Sequence, residues 1–149
     1  MESILTSIKK MLGITEEYTH FDADIIMHIN SIFMVLNQLG VGPEEGFFIE
    51  DETTTWFDYI DTVKQLQAVK SYMYLRVKML FDPSSSSVIM ESMKQQANEM
   101  EFRLNIAVDN GEYLSTRSKK SMVLTDRSTN EDHELYVDNG DLHIGKSEG

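Results

Sequence analysis

The stretch VKQLQAVKSYMYLRVKMLF, residues 63–81, decides the fold. Its apolar side chains recur every three or four residues, which is the spacing of one face of an α-helix. They are Val63, Leu66, Val69, Met73, Val77 and Leu80, and Tyr72, Leu75 and Met79 extend the stripe. Asp82-Pro83 ends the pattern because proline cannot continue the hydrogen-bond ladder of a helix. This stretch is the strongest helix prediction in the chain.

A second helix is predicted directly after this break, over about 86–106. The serine run from Ser84 to Ser87 offers several N-caps. One face carries Ile89, Met93, Ala97, Met100 and Leu104. Phe102 and Ile106 lie off that face.

Two helices are predicted before residue 63. Residues 22–39 carry a wide apolar stripe, with Asp22 as the N-cap and Gly40 after the end. A stripe of this width indicates burial on more than one side. Residues 3–12 form a shorter amphipathic helix, and Lys9 and Lys10 in its last turn suit the helix dipole.

The segment 44–62 is less regular. Phe47-Phe48-Ile49 is compatible with a short extended piece. Further on, an aromatic-rich helical turn is expected to fill the core; it carries Trp56, Phe57, Tyr59 and Ile60.

The end of the chain has a different pattern. Three apolar-rich runs predict short strands, at 122–125, 134–137 and 141–144. Asn139-Gly140 between the last two is a strong hairpin signal, because both central residues of that turn need positive φ. The predicted fold is therefore mainly α: a small bundle of about four helices with a β-hairpin or three-strand appendage. The predicted division is a helical domain at 1–108, a linker at 109–120 and a β appendage at 121–149.

Composition limits the function. The chain has 149 residues, 41% of them hydrophobic, and a formal charge of -12 from 25 acids and 13 bases. A non-specific grip on DNA needs an excess of Lys and Arg, so DNA binding is not expected. Cysteine is absent, which excludes disulfides and thiolate sites. Neither a signal peptide nor a membrane-spanning run is recognisable, so we expect a soluble protein made inside the cell.

No motif indicates catalysis. Phosphate loops, nucleotide fingerprints and nucleophile elbows are missing, and the four histidines do not have zinc-site spacing. His133 and His143 could face each other across the terminal hairpin, as a surface pair. Asp126 to Asp132 is too short for a calcium loop. The sequence predicts no enzyme, no cofactor and no metal site.

Four phrases together resemble a known family. They are ILTSIKKMLG (4–13), NSIFMVLNQLGVG (30–42), VKSYMYLRVKMLFDP (69–83) and MEFRLNIAV (100–108). Their order and spacing are similar to those of the head–tail connector (adaptor) proteins of tailed phages, over about residues 1–108. These are helix-packing positions and not a catalytic signature.

This resemblance implies a structural virion protein. Such proteins assemble into a homo-oligomeric ring, typically of twelve copies, that docks on the portal in the virion neck and extends the DNA channel towards the tail. It implies portal and tail-completion proteins as partners, DNA that passes without specific binding, no membrane, and synthesis in the host bacterial cytoplasm. By position, the portal contact would fall on the end of the last helix, at Phe102, Arg103, Leu104, Ile106 and Val108. The β appendage would add a further contact.

Two other functions stay open. One is an acidic regulatory or DNA-mimic protein that binds a basic partner, which would need acids clustered on one face; reversing the charges at 44–52 would then abolish binding. The other is a small enzyme with an unrecognised pocket.

Overall fold

The computed structural model describes residues 2–112, 122–125, 129, 132–138 and 141–146. The chain divides into two compact units, Met1–Thr116 and Arg117–Gly149. The first unit carries all the described helices, and the second carries the strands. The boundaries drawn above at 108 and 120 stay a prediction, and most of the predicted linker lies outside the described residues.

Five helices form the first unit within residues 2–112. They are α1 (Ile4–Met11), α2 (Asp22–Leu39), α3 (Trp56–Tyr59), α4 (Val63–Phe81) and α5 (Ser87–Asp109). The mainly α bundle is confirmed, and α3 is the predicted aromatic turn. It has Thr55 as N-cap and a capping box with Asp58, whose carboxylate accepts from the Thr55 amide and hydroxyl.

The central helix α4 packs against α2 on one side and α5 on the other. Leu66, Val69, Met73 and Val77 of its predicted stripe are buried. Val63 and Leu80, at the two ends of that stripe, are exposed. The spacing was correct, but the stripe is longer than the helices that cover it. The same holds for Ile89 at the start of α5, which is exposed.

Helix α1 departs from the prediction at Lys9. This side chain is buried and not a surface partner of the helix dipole. Its Nζ donates to the Glu16 carbonyl at 2.9 Å and lies 2.8 Å from Asp22 Oδ1. Asp22 was predicted as the N-cap of α2, but Phe21 occupies that position and no side chain caps it. Asp22 lies in the first turn and uses its carboxylate to hold α1 through Lys9.

Side chains of α2 fix the irregular segment that follows it. Asn30 acts as a backbone mimic, because its amide nitrogen donates to the Ile49 carbonyl at 2.9 Å and its amide oxygen accepts from the Ile49 amide at 2.8 Å. Asn37, two turns later, donates to the Pro43 carbonyl at 2.8 Å. The extended piece considered for 47–49 is not a strand. The Ile49 amide and carbonyl are satisfied by the Asn30 side chain of α2, and Ile49 lies in the core.

The second unit is an antiparallel sheet in the order β1 (Met122–Thr125), β2 (Asp132–Asp138), β3 (Asp141–Lys146). The predicted three strands are present, with Asp138 opposite Asp141 at the hairpin end. The Asn139-Gly140 turn itself lies outside the described residues. The expected pair of His133 and His143 is wrong, because His143 lies opposite Tyr136 in the register.

Candidate functional site

Helix α5 is covered on one side only. It has 23 residues, which at 1.5 Å per residue is about 34 Å. Met93, Ala97, Met100 and Leu104 form its inner face, at the four-and-three spacing predicted above. Most of its remaining surface faces solvent.

Large apolar side chains lie on the uncovered face of α5. Phe102 is 63% exposed, Ile106 is 43% exposed and Val88 is 77% exposed. Phe102 and Ile106 are one turn apart on one side of the helix. Val88 lies on the same side about 21 Å away at 1.5 Å per residue, with exposed Gln95 and Glu99 between. We call Phe102 and Ile106 the α5 outer stripe. An exposed apolar stripe that a single subunit leaves uncovered is typical of a contact surface.

The five residues predicted as an interface do not share one environment. Leu104 is 3% exposed and belongs to the core, and Val108 packs against that core. Phe102, Arg103 and Ile106 are exposed. The predicted segment therefore has an inner side that anchors α5 and an outer side available to a partner.

A groove lies between the first half of α4 and the second half of α5. Ala68, Met100, Leu104 and Ala107 line it with apolar atoms, and its volume is about 220 Å³. Lys64 and Arg103 bring positive charge to it, and Glu112 brings one carboxylate. Sequence spacing did not reveal this groove, because its walls come from two helices whose relative placement is a tertiary property.

Two polar contacts lie at the walls of the groove, and one of them joins the two walls. Arg103 Nη2 lies 2.6 Å from Glu99 Oε1, one turn earlier on α5. This pair is exposed, so it orients the guanidinium more than it stabilises the fold. Gln65 donates a side-chain hydrogen bond to the Glu112 carbonyl, which ties the start of α4 to the residues just after α5.

A buried phenol fixes the position of α5 against α4. The Tyr72 hydroxyl donates to the Glu101 carboxylate, and Arg76 Nη1 lies 4.0 Å from the same carboxylate. Burial raises the pKa of Tyr72, and the Glu101 carboxylate raises it further. Ionising this phenol would place a second negative charge beside Glu101.

A second exposed feature lies on the segment that α2 fixes. Phe48 is 65% exposed, although its neighbours are held in place. Phe47 packs against Phe33 and Tyr59, each with ring centroids 5.0 Å away. The acids around Phe48 are Glu44, Glu45, Glu50, Asp51 and Glu52. We call residues 44–52 the Phe48 loop.

Among the residues that the structure describes, no group of three or more His, Asp or Glu side chains is arranged to hold a metal ion. The pKa of Asp51 is lowered by hydrogen bonds from the side chain and the amide of Thr53. The pKa of Asp58 is lowered by hydrogen bonds from the amide and the side chain of Thr55. These are turn and cap contacts on the surface. A general acid would instead need a raised pKa.

The helices that the structure describes include none that is both long enough and apolar enough to cross a bilayer.

Comparison with known proteins gives one match. A family model described as "Phage connector protein" matches residues 4–111, which spans all five helices and both walls of the groove. No curated protein and no solved structure matches the chain.

Proposed function

The chain belongs to the phage connector protein family, and we propose that its copies form the ring that docks on the portal and extends the DNA channel towards the tail. The coarser role, a structural connector of a phage particle, follows from the family itself. The proposal adds the ring, of twelve subunits, and the partners: the portal on one side and the next neck or tail-completion protein on the other.

The observation that carries the proposal is the α5 outer stripe. Burial of large apolar side chains is the main favourable term in association, and Phe102 and Ile106 are available for it at no cost to the fold. The family match includes this helix to its end. We therefore propose that Phe102, Arg103 and Ile106 contact the portal, while Leu104 and Val108 anchor the helix that presents them.

The charge of the chain supports passage of DNA without adhesion. Lys and Arg that neutralise phosphates drive non-specific binding to DNA, whereas this chain carries 25 acids against 13 bases. In the proposed ring, acidic walls repel the phosphates of DNA in the channel. The location that goes with this role is the virion neck, after synthesis in the host bacterial cytoplasm.

Sedimentation and negative-stain imaging test the proposal, with the protein alone and mixed with the portal protein of the same genome. Coaxial rings stacked on the portal are expected. A chain that stays monomeric beside the portal at high concentration would contradict it, and the acidic binding protein considered above would then be the function to test.

A further inference from the structure

Phe48 is a rigid projection. Asn30 holds both the amide and the carbonyl of Ile49, and Ile49 is itself buried. On the other side, Phe47 is packed into an aromatic cluster with Phe33 and Tyr59. The Phe48 ring therefore projects from the surface, and the residues on both sides of it are held in place. Docking such a ring costs little conformational entropy, because its loop is already ordered.

The surroundings of Phe48 define the partner it fits. Five acids lie within four residues of it along the chain. A cavity that takes the ring must be apolar inside and carry positive charge at its edge, since like charges at an interface are unfavourable.

The groove between α4 and α5 has an apolar lining, at Ala68, Met100, Leu104 and Ala107, and two cations at its edge, Lys64 and Arg103. Arg103 is paired with Glu99 and Glu112 adds a carboxylate, so Lys64 is the cation that the acids of the Phe48 loop would meet. Its volume of about 220 Å³ exceeds the roughly 150 Å³ of an apolar protein cavity that binds benzene, so it can hold a phenyl ring.

We propose that Phe48 of one copy inserts into the groove of a second copy of this chain. The projection is carried by the segment after α2 and the groove by α4 and α5, so every copy offers both halves of the contact. Such a contact is heterologous, and it closes a ring when the rotation that relates neighbouring copies divides a full turn. The inference rests on the proposed ring and identifies the residues that join its subunits. It leaves Phe102 and Ile106 free for the portal, because neither lines the groove, whereas Arg103 does line it and would lie where the two contacts meet.

Cross-linking tests this contact directly, because the native chain has no cysteine. The double variant Phe48→Cys with Ala68→Cys, assembled on the portal and treated with a short bifunctional thiol reagent, should give a ladder of covalent oligomers. Phe48→Cys alone should give no such ladder. The matched control is Phe48→Cys with Met11→Cys, since exposed Met11 lines a different cleft flanked by Lys10 and Lys70.

The outcomes separate this inference from the proposed function. A ladder with Ala68→Cys and not with Met11→Cys supports the Phe48 contact. Rings that form on the portal without the ladder, or with a ladder only through Met11→Cys, overturn the contact and leave the ring intact. Failure of the wild-type chain to form rings on the portal overturns both.

A second variant measures the strength of the contact. Phe48→Ser, on a loop held by Asn30, leaves the core unchanged and should raise the protein concentration needed for assembly about tenfold or more, as for an aromatic anchor in a pocket. An unchanged assembly concentration overturns the proposal.

Discussion

Trp56 Nε1 donates a hydrogen bond to Ser7 Oγ at 2.8 Å, and both residues are buried. Ser7 Oγ in turn donates to the Ile4 carbonyl at 2.8 Å. This chain of bonds joins α1 to α3 across 49 residues of sequence. The indole ring also lies under Lys70, whose Nζ is 5.4 Å from its centroid. The only tryptophan of the chain thus reports on the packing of its first helix.

Ser7→Ala should destabilise the helical unit by about 1–3 kcal/mol, because it leaves the buried indole N–H without its acceptor. Urea unfolding followed by Trp56 fluorescence measures the change. Ser31→Ala is the matched control: its exposed hydroxyl bonds only to the Met27 carbonyl within α2. Equal effects of the two substitutions would contradict the role given to the Ser7 bond.

Gly42→Ala should destabilise the unit more than an ordinary loop substitution. Gly42 has φ +84°, and a Cβ there would lie 2.3 Å from the Tyr59 ring. The left-handed conformation alone costs a non-glycine residue roughly 1–2 kcal/mol, and the clash with a packed ring adds to this. Gly46→Ala is the control, because Gly46 has φ +92° with open space around its Cβ position.

The difference between the two free energies of unfolding isolates the contact with Tyr59. A larger loss for Gly42→Ala than for Gly46→Ala is expected. Equal losses would mean that the Tyr59 ring moves aside at no cost, and that its hydrogen bond to the Val41 carbonyl, at 3.2 Å, does not hold it.

The repetitive parts of the fold could be predicted from the sequence. Spacing of Leu66, Val69, Met73 and Val77 placed α4 correctly, because burial along a helix repeats with the helical period. The ends of each stripe could not be predicted. Whether Val63 or Leu80 is covered depends on how far the neighbouring helices extend, and local spacing carries no information on that.

The parts of the fold that the sequence did not predict depend on polar contacts between segments that are distant along the chain. Asn30 holds Ile49 from 19 residues away, and Lys9 is buried because Asp22 and the Glu16 carbonyl converge on it. From the sequence alone, each of these polar side chains would be assigned to the protein surface. The exposed Phe102 was visible as a residue off the predicted inner face, whereas the groove beside it required the pairing of α4 with α5.

High pH should destabilise the helical unit through Tyr72. Its pKa in the folded chain is raised by burial and by Glu101, whereas in the unfolded chain it is near 10. The stabilising contribution is therefore complete below about pH 10 and is lost as the pH rises above it, because the unfolded chain releases its proton first. Free energies of unfolding between neutral pH and high pH measure this slope.

Tyr72→Phe removes the titrating group, so the loss of stability above about pH 10 should become shallower than in the wild-type chain. Tyr18→Phe is the control, because Tyr18 is exposed. In a spectrophotometric titration, a phenol that ionises above the ordinary tyrosine range should be lost from the Tyr72→Phe variant and kept in the Tyr18→Phe variant. The same titration curve for both variants would contradict the assignment.

Replacing the α5 outer stripe should weaken the portal contact without unfolding the subunit. Phe102→Ser with Ile106→Ser removes two exposed apolar side chains, and a loss of about tenfold or more in affinity for the portal is expected if they act as anchors. The free energy of unfolding should change little, since neither side chain lies in the core. Met27→Ser, an exposed methionine on α2, is the matched control and should bind as the wild-type chain does. Sedimentation with the portal, combined with urea unfolding of each variant, separates the two effects. If the double variant still forms rings on the portal at the wild-type concentration, Phe102 and Ile106 contribute no binding energy to the portal contact. The portal contact must then lie elsewhere on the subunit.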